Sequence, residues 1–423
     1  MSAIITDTLK RQLLNNLISD VDSTGEYYYI GIGRSQDWNA TDAAPTPLGH
    51  LSDERNFRLN MQSIKSGEDV SITVPRNNWS AGSIYESYDD QSYGNTTSDF
   101  YVLTDENSVY ICLEKGINTD GSRKNSVTKP TGDSDVSTGD GYTWRYLYSI
   151  DVPTATKFLS SNYLPVLTDS DVAAATTPGE IINIVVTDGG SGYSSAPTVT
   201  IEGDGTSAAA TATISAGVVT KIEMDNRGQD YTKAKISFSS GNATARAVIG
   251  HSSGIGANPQ ADLKAKAVMF NTKPNGTENG SFIVGNDFRQ IGIIKNPTDY
   301  SGSSITAATA LGLKSIVLTS AGDAALFTLN GTITGSISGA QAILDYTDSD
   351  TLYYHQNETT GFLSFDSDVG STITSGDATG IVSSHIDSAE FDVMSGDVFY
   401  IENRAAVTRA TDQTEDIKIV IQI

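Results

Sequence analysis

Carboxylates dominate the reactive side chains of this 423-residue chain: 51 Asp and Glu stand against 27 Lys and Arg, four His and one Cys. A pair of carboxylates could cleave a glycosidic bond by general acid and base. That pairing is made in space, and position in sequence singles out no two of the 51. Two local groups resemble hard-cation ligands: Asp133-Ser134-Asp135-Val136-Ser137, and Asp345 with Asp348 and Asp350. Both lack the glycine and the terminal glutamate of a calcium loop, so solvated turn carboxylates are expected. His50, His251, His355 and His385 are scattered, with no His-x-x-x-His pair. A zinc site or a histidine triad would have to be assembled by the fold. Cys112 lies in the apolar run Val109-Tyr110-Ile111-Cys112-Leu113, where a thiol is expected to be inert packing. Gly190-Ser191-Gly192 lacks the Lys-Ser/Thr of a phosphate loop, and no Gly-x-Ser-x-Gly elbow is present. The expectation is no catalytic residue, no cofactor and no metal.

The formal net charge of −24 argues against a nucleic-acid or anionic-membrane partner, since both require clustered positive charge. The acidity is dispersed, which favours solubility over disorder. No stretch approaches the ~20 apolar residues of a spanning helix. Lys10-Arg11 interrupts the apolar residues near the start, so no signal peptide is expected and folding in the cytoplasm is. The length suggests two or three domains.

The elements that must position these residues read as mainly β. Residues 6–20 are the exception: Leu9, Leu13 and Leu17, flanked by Leu14 and Ile18, predict an amphipathic helix capped by Thr6 or Asp7. Tyr27–Gly33 is strand-like. Residues 100–104 and 109–113 form a hairpin around Asp105-Glu106-Asn107-Ser108. Residues 38–49 and 85–98 read as surface loops. Tyr is the commonest aromatic, and its amphipathic ring suits both sheet packing and wet interfaces.

Two stretches carry internal echoes. In 179–250, Ile184–Tyr193 aligns with Ile222–Tyr231, each followed by a strand and an Ala/Thr run. In 304–389, an acidic stretch whose only basic residue is Lys314, residues 328–340 are echoed by 368–380. Both stretches are expected to form small β-domains inserted into the core.

Four ordered segments carry a resemblance. They are Val74-Pro75-Arg76-Asn77-Asn78-Trp79; Gly139-Asp140-Gly141-Tyr142-Thr143-Trp144-Arg145-Tyr146-Leu147; Phe288-Arg289-Gln290-Ile291-Gly292-Ile293-Ile294-Lys295-Asn296-Pro297; and the C-terminal run from Val398 through Glu402-Asn403-Arg404 to the alternating Ile417-Lys418-Ile419-Val420-Ile421-Gln422-Ile423. Together they resemble baseplate wedge subunits of contractile-tail phages of the T-even type, the "protein eight" family. The likeness covers 1–168, about 256–303 and 388–423. It departs at Ala405-Ala406, where the family pattern has prolines, and it leaves both inserted stretches uncovered.

The resemblance implies a layered β-sandwich core with an N-terminal helix, built from 1–178, 251–303 and 390–423, with 179–250 and 304–389 as inserted β-domains. It implies a structural, non-enzymatic subunit of the virion tail baseplate. Such a subunit holds neighbouring wedge proteins in register and transmits rearrangement to sheath contraction. The partners implied are a second copy of the chain and other wedge subunits. A virion adhesin binding host glycan through the inserted lobes and a cell-wall polymer hydrolase are the alternatives. Candidate interface or core-signature residues are Arg76, Trp79, Tyr142, Trp144, Phe288, Arg289, Tyr400, Asn403 and Arg404. For the arginines, an ion pair within the chain and a contact with a neighbour both stay open. Ile417, Ile419, Ile421 and Ile423 are expected to form one buried face of the last strand.

Overall fold

A computed structural model describes residues 4–67, 69–91, 99–274, 282–283, 285–410 and 413–423. Strand accounts for 41% of the chain and helix for 12%, so the fold is mainly β. The chain divides into two compact units. One comprises Met1–Asn16, Ser71–Met269 and Val420–Ile423, the other Leu17–Val70 and Phe270–Ile419. Each echo-bearing stretch lies within one unit.

The second unit is built on a five-stranded antiparallel sheet. Its order is Thr309–Leu311, Met61–Ser66, Tyr28–Gly33, Asp287–Lys295 and Asp397–Thr408. All six residues of Tyr28–Gly33 are buried. Gly31 faces Gly292 across the sheet, and Phe57 of the helix Leu51–Leu59 packs where their side chains would be. A Cβ at Gly292 would meet the Phe57 ring at 2.4 Å, so only glycine lets the helix approach this closely.

The 304–389 echoes become a closed barrel. Its six strands run in the order Lys314–Leu318, Thr351–His355, Gln341–Asp348, Thr332–Gly335, Thr372–Ser375 and Ala378–Ile386. Thr334 and Thr374, equivalent in the echo, pair across the barrel. Ile316, Leu344, Leu352, Tyr354, Phe365, Ile373 and Val382 fill it. Four of these strands have only four or five residues and bury little apolar surface alone. Closure gives them a shared interior and removes exposed edges.

In the first unit, Tyr101–Leu103, Ser108–Glu114, Thr143–Ser149 and Val136–Ser137 form one sheet in that order. Tyr85, Val102, Tyr110, Tyr142 and Trp144 pack as its core. Tyr101 donates its hydroxyl to Pro75 O at 2.6 Å and Tyr148 donates to Pro165 O at 2.9 Å, tying this sheet to the strands Asp69–Pro75 and Tyr163–Pro165.

The 179–250 stretch forms three two-stranded ribbons. Ile181–Asp188 pairs with Thr244–Ile249, Val199–Gly203 with Ala234–Phe238, and Ala209–Ser215 with Val218–Asn226. The first strand of each copy thus pairs with the last strand of the other, and the middle strands pair together. The two turns superpose in kind: Gly190 and Gly228 both have φ +63, and Asp188 and Asn226 each accept a hydrogen bond from that glycine's N–H at 2.9 Å.

Three expectations need correction. The helix spans Asp7–Val21, but its buried stripe runs through Leu14 and Val21, with Leu17 and Ile18 half-buried. Leu9 and Leu13 are 49% and 43% exposed. The face in use is rotated from the one the leucine spacing suggested, because 7, 10/11, 14, 17/18 and 21 also satisfy the helical period. In the last strand, Ile417–Gln422, Ile417 and Ile419 are buried, Ile421 is half-buried and Ile423 is exposed. Ile423 donates its N–H to Lys266 O, just before the neighbouring strand Ala267–Thr272 begins, so its side chain outruns the layer. Of the expected loop 85–98, residues 92–98 lie outside the described residues, and Tyr85 and Tyr88 are core residues at 3% exposure each. Asp412 also lies outside them.

Candidate functional site

The fold gathers several reactive groups that sequence spacing left apart. Asp345 is fully buried, accepting from Ser35 Oγ at 2.8 Å and Gln62 Nε2 at 3.1 Å, and it contacts His355 Nδ1 at 2.5 Å. The residue types are those of a hydrolytic triad, but the order is wrong. The carboxylate lies between hydroxyl and imidazole, so the imidazole cannot take the serine proton. The trio is a sealed polar bolt between the barrel and the five-stranded sheet. Asp345 is thereby separated in environment from Asp348, which is exposed. A second chain, Tyr354 Oη to His385 Nε2 at 2.6 Å and His385 Nδ1 to Asp366 Oδ1 at 2.8 Å, has both ring residues buried in side chain or whole. Asp135 of the other acidic group is held by both Nε and Nη2 of Arg145. Burial pushes the Cys112 thiol well up from its ordinary range, and Cys112 is fully buried.

The signature residues divide between the two units. In the first, Arg76 donates to Asn78 Oδ1 and Ser160 O, both at 2.8 Å. Trp79 is half-buried and donates to Ser126 Oγ at 3.2 Å. Tyr142 and Trp144 are fully buried and stacked, with ring centroids 5.7 Å apart. In the second unit, the Phe288 and Asn403 segments, over a hundred residues apart, are neighbouring strands with Gln290 opposite Asn403. Phe288 is buried. Arg289 donates Nε to both oxygens of Asp42 at 2.9 and 3.0 Å, Nη2 to Asp37 at 2.6 Å and Nη1 to Ser35 O. Its ion pair is therefore made within the chain. Tyr400 donates to Glu402 at 2.9 Å, and Arg404 is exposed, 3.9 Å from Glu402.

A concave site of the second unit adjoins this strand pair. It has a volume of about 330 Å³ and is walled by Arg34, Trp38, Ser52, Asn56, Gln290 and Asn403, with Asp53 and Glu358 also lining it. Arg34 follows Gly33 at the end of the central strand and adopts φ +61, a left-handed backbone uncommon outside glycine. Its guanidinium lies over the Trp38 ring, 4.1 Å from the centroid. Trp38 is anchored by Nε1 donating to Arg404 O at 2.9 Å and by its N–H donating to Asp42 Oδ1 at 3.1 Å. Burial first, and then the adjacent Arg289 charge, pull Arg34 below the ordinary guanidinium range, against the opposing influence of Asp42. Arg289, and then the Trp38 N–H, hold Asp42 below the usual carboxylate range. Gln290 is 2% exposed; its amide donates to Asn403 Oδ1 at 2.9 Å, while its Oε1 has no partner among the described residues.

Of the residues singled out by sequence, Gln290's neighbour Arg289 buttresses this pocket and Asn403 lines it. Arg34 and Trp38 were not singled out. The available signal was Trp38 itself, one of three tryptophans, isolated in a polar loop rich in Asp, Asn and Pro. No family model matches the chain, and no curated protein matches it.

Proposed function

We propose that the chain is a structural subunit of a phage tail baseplate wedge, pairing with a second copy of itself and with other wedge subunits in the virion. The reading rests on the four ordered segments that resemble the family. One structural observation supports it best. Two of those segments, Phe288 to Pro297 and Val398 to Arg404, lie side by side in one sheet, joined by Gln290 opposite Asn403. Their polar residues serve that scaffold: Arg289 is saturated by carboxylates and a carbonyl of its own chain. A subunit that transmits force needs such a stiff, cross-linked sheet, because a packed sheet moves as a body. No covalent step is part of this role.

Tagging the chain and reconstructing assembled tails by electron cryo-microscopy tests the reading. The expected result is tag density at the baseplate in symmetry-related copies. A chain absent from purified tails, or present only in another part of the particle, overturns it.

A further inference from the structure

We propose that the pocket at Arg34 and Trp38 binds one acidic saccharide unit, with the sugar carboxylate on the Arg34 guanidinium and the hydroxyls on the amide and carboxylate groups of the wall. The inference does not depend on the baseplate reading and places ligand binding outside both echo-bearing stretches' own cores.

The charge balance of the wall is the first reason. Arg289, next to Arg34, is matched by Asp37, Asp42 and Asp287. Arg34 has no ion pair among the described residues; its one side-chain hydrogen bond is from Nη2 to Asp37 O at 3.2 Å. Its Nε is buried without a partner among the described residues. A partly desolvated guanidinium without a direct ion pair is costly, since Asp42 acts on it only at longer range, and a ligand carboxylate supplies a bidentate one. Stacking on Trp38 fixes the guanidinium plane, so its N–H groups are aimed before a ligand arrives.

The second reason is the unpartnered Oε1 of Gln290, an acceptor in a residue that is nine-tenths buried and lines the same pocket. It requires a donor, which a carboxylate cannot provide and a hydroxyl can. Asp53 and Glu358 add further acceptors, while Ser52 and Asn56 offer both donors and acceptors. This mixture suits a polyol bearing one acid. A peptide carboxylate would satisfy Arg34, but with one N–H per residue it brings fewer donors than a polyol to the remaining acceptors. The volume, near the lower end of the ~300–1,000 Å³ usual for ligand pockets, suits a single ring. The left-handed backbone of Arg34 is a third indication, because strain of this kind collects at binding sites.

Titration calorimetry on the full chain with methyl β-D-glucuronide, methyl β-D-glucoside and a capped dipeptide with a free carboxylate tests the proposal. Expected is saturable binding of the glucuronide, with the glucoside weaker by at least about tenfold. Arg34→Gln should weaken the glucuronide by a similar factor without shifting thermal unfolding. Should Arg34→Gln fail to fold, Asn56→Ala on the exposed helix face should weaken binding of the same probe. No saturable binding of the glucuronide overturns the proposal, as does binding that the folded variants leave unchanged. A dipeptide binding as tightly as the glucuronide overturns the sugar assignment and leaves a peptide-carboxylate site.

Discussion

Burial shifts the ionisation of single residues in this protein. Asp262 is completely buried, with Oδ2 accepting from Gly256 N at 2.7 Å and Oδ1, without a hydrogen bond among the described residues, 3.6 Å from His251 Nε2. Burial raises its pKa from 3.8 to about 7. In the unfolded chain it ionises near its ordinary value, so between the two the native state holds a proton the unfolded state has lost. The stabilisation is fully present below the unfolded value and disappears as pH rises through about 7. It amounts to on the order of 4 kcal/mol. Burial lowers the pKa of His251, which acts in the opposite sense: its contribution is lost as pH falls through the imidazole range. Urea unfolding of Asp262→Asn and the parent from pH 4 to 8 should therefore show the variant gaining relative stability with rising pH. Parallel profiles would place the linked proton elsewhere. Arg289 carries the second residue-scale expectation. Replacing it with Met leaves three carboxylates facing one another, and should cost roughly 3 kcal/mol in urea unfolding, the lower end for a broken buried pair because Asp37 is exposed.

At the scale of elements, close approach of backbones recurs. The helix Leu51–Leu59 rests its Phe57 on the facing glycines Gly31 and Gly292. Gly292→Ala forces the ring and the added methyl into the same space, and should destabilise by about 2 kcal/mol. Combining it with Phe57→Leu should recover part of that loss in a double-mutant cycle; additive effects would show that the two residues do not compete. The last strand behaves as a gradient. Ile419→Ala should cost about 2–4 kcal/mol, as for a packed isoleucine. Ile423→Ala should cost under ~0.5 kcal/mol, because its side chain already meets solvent. Equal losses would mean the strand's end is covered in solution.

At the scale of the whole chain, both echo-bearing stretches enter and leave through paired strands. Ile181 faces Ile249, and Ser315 faces Ile386. Cross-strand partners are about 5 Å apart, so a short turn can replace either stretch. Removing 182–248 in this way should leave cooperative unfolding with a smaller denaturant slope, since less surface is exposed. Removing only 218–250 should instead leave a chain that aggregates, because every strand of the first copy has its partner in the second. A well-folded half-deletion, seen as a dispersed amide spectrum, would contradict the exchanged pairing.

Local chemistry made several features legible before folding. The β-branched and aromatic runs with glycine and Asx turns determined the mainly-β class. The 3.6-residue spacing placed the helix Asp7–Val21 within a residue at each end, and the two echoes marked the stretches that became the ribbon lobe and the barrel. The apolar setting of Cys112 anticipated its burial. What periodicity could not decide was which of two apolar faces a helix uses, since Leu9/Leu13 and Leu14/Val21 both satisfy it and only the opposing surface chooses. Nor could it show that the repeats exchange strands, because register between distant segments is set by packing. The pocket belongs wholly to tertiary structure. Arg34, Asn56, Gln290 and Asn403 come from four separate segments, and an arginine's partner, or the lack of one, is a property of three-dimensional neighbours.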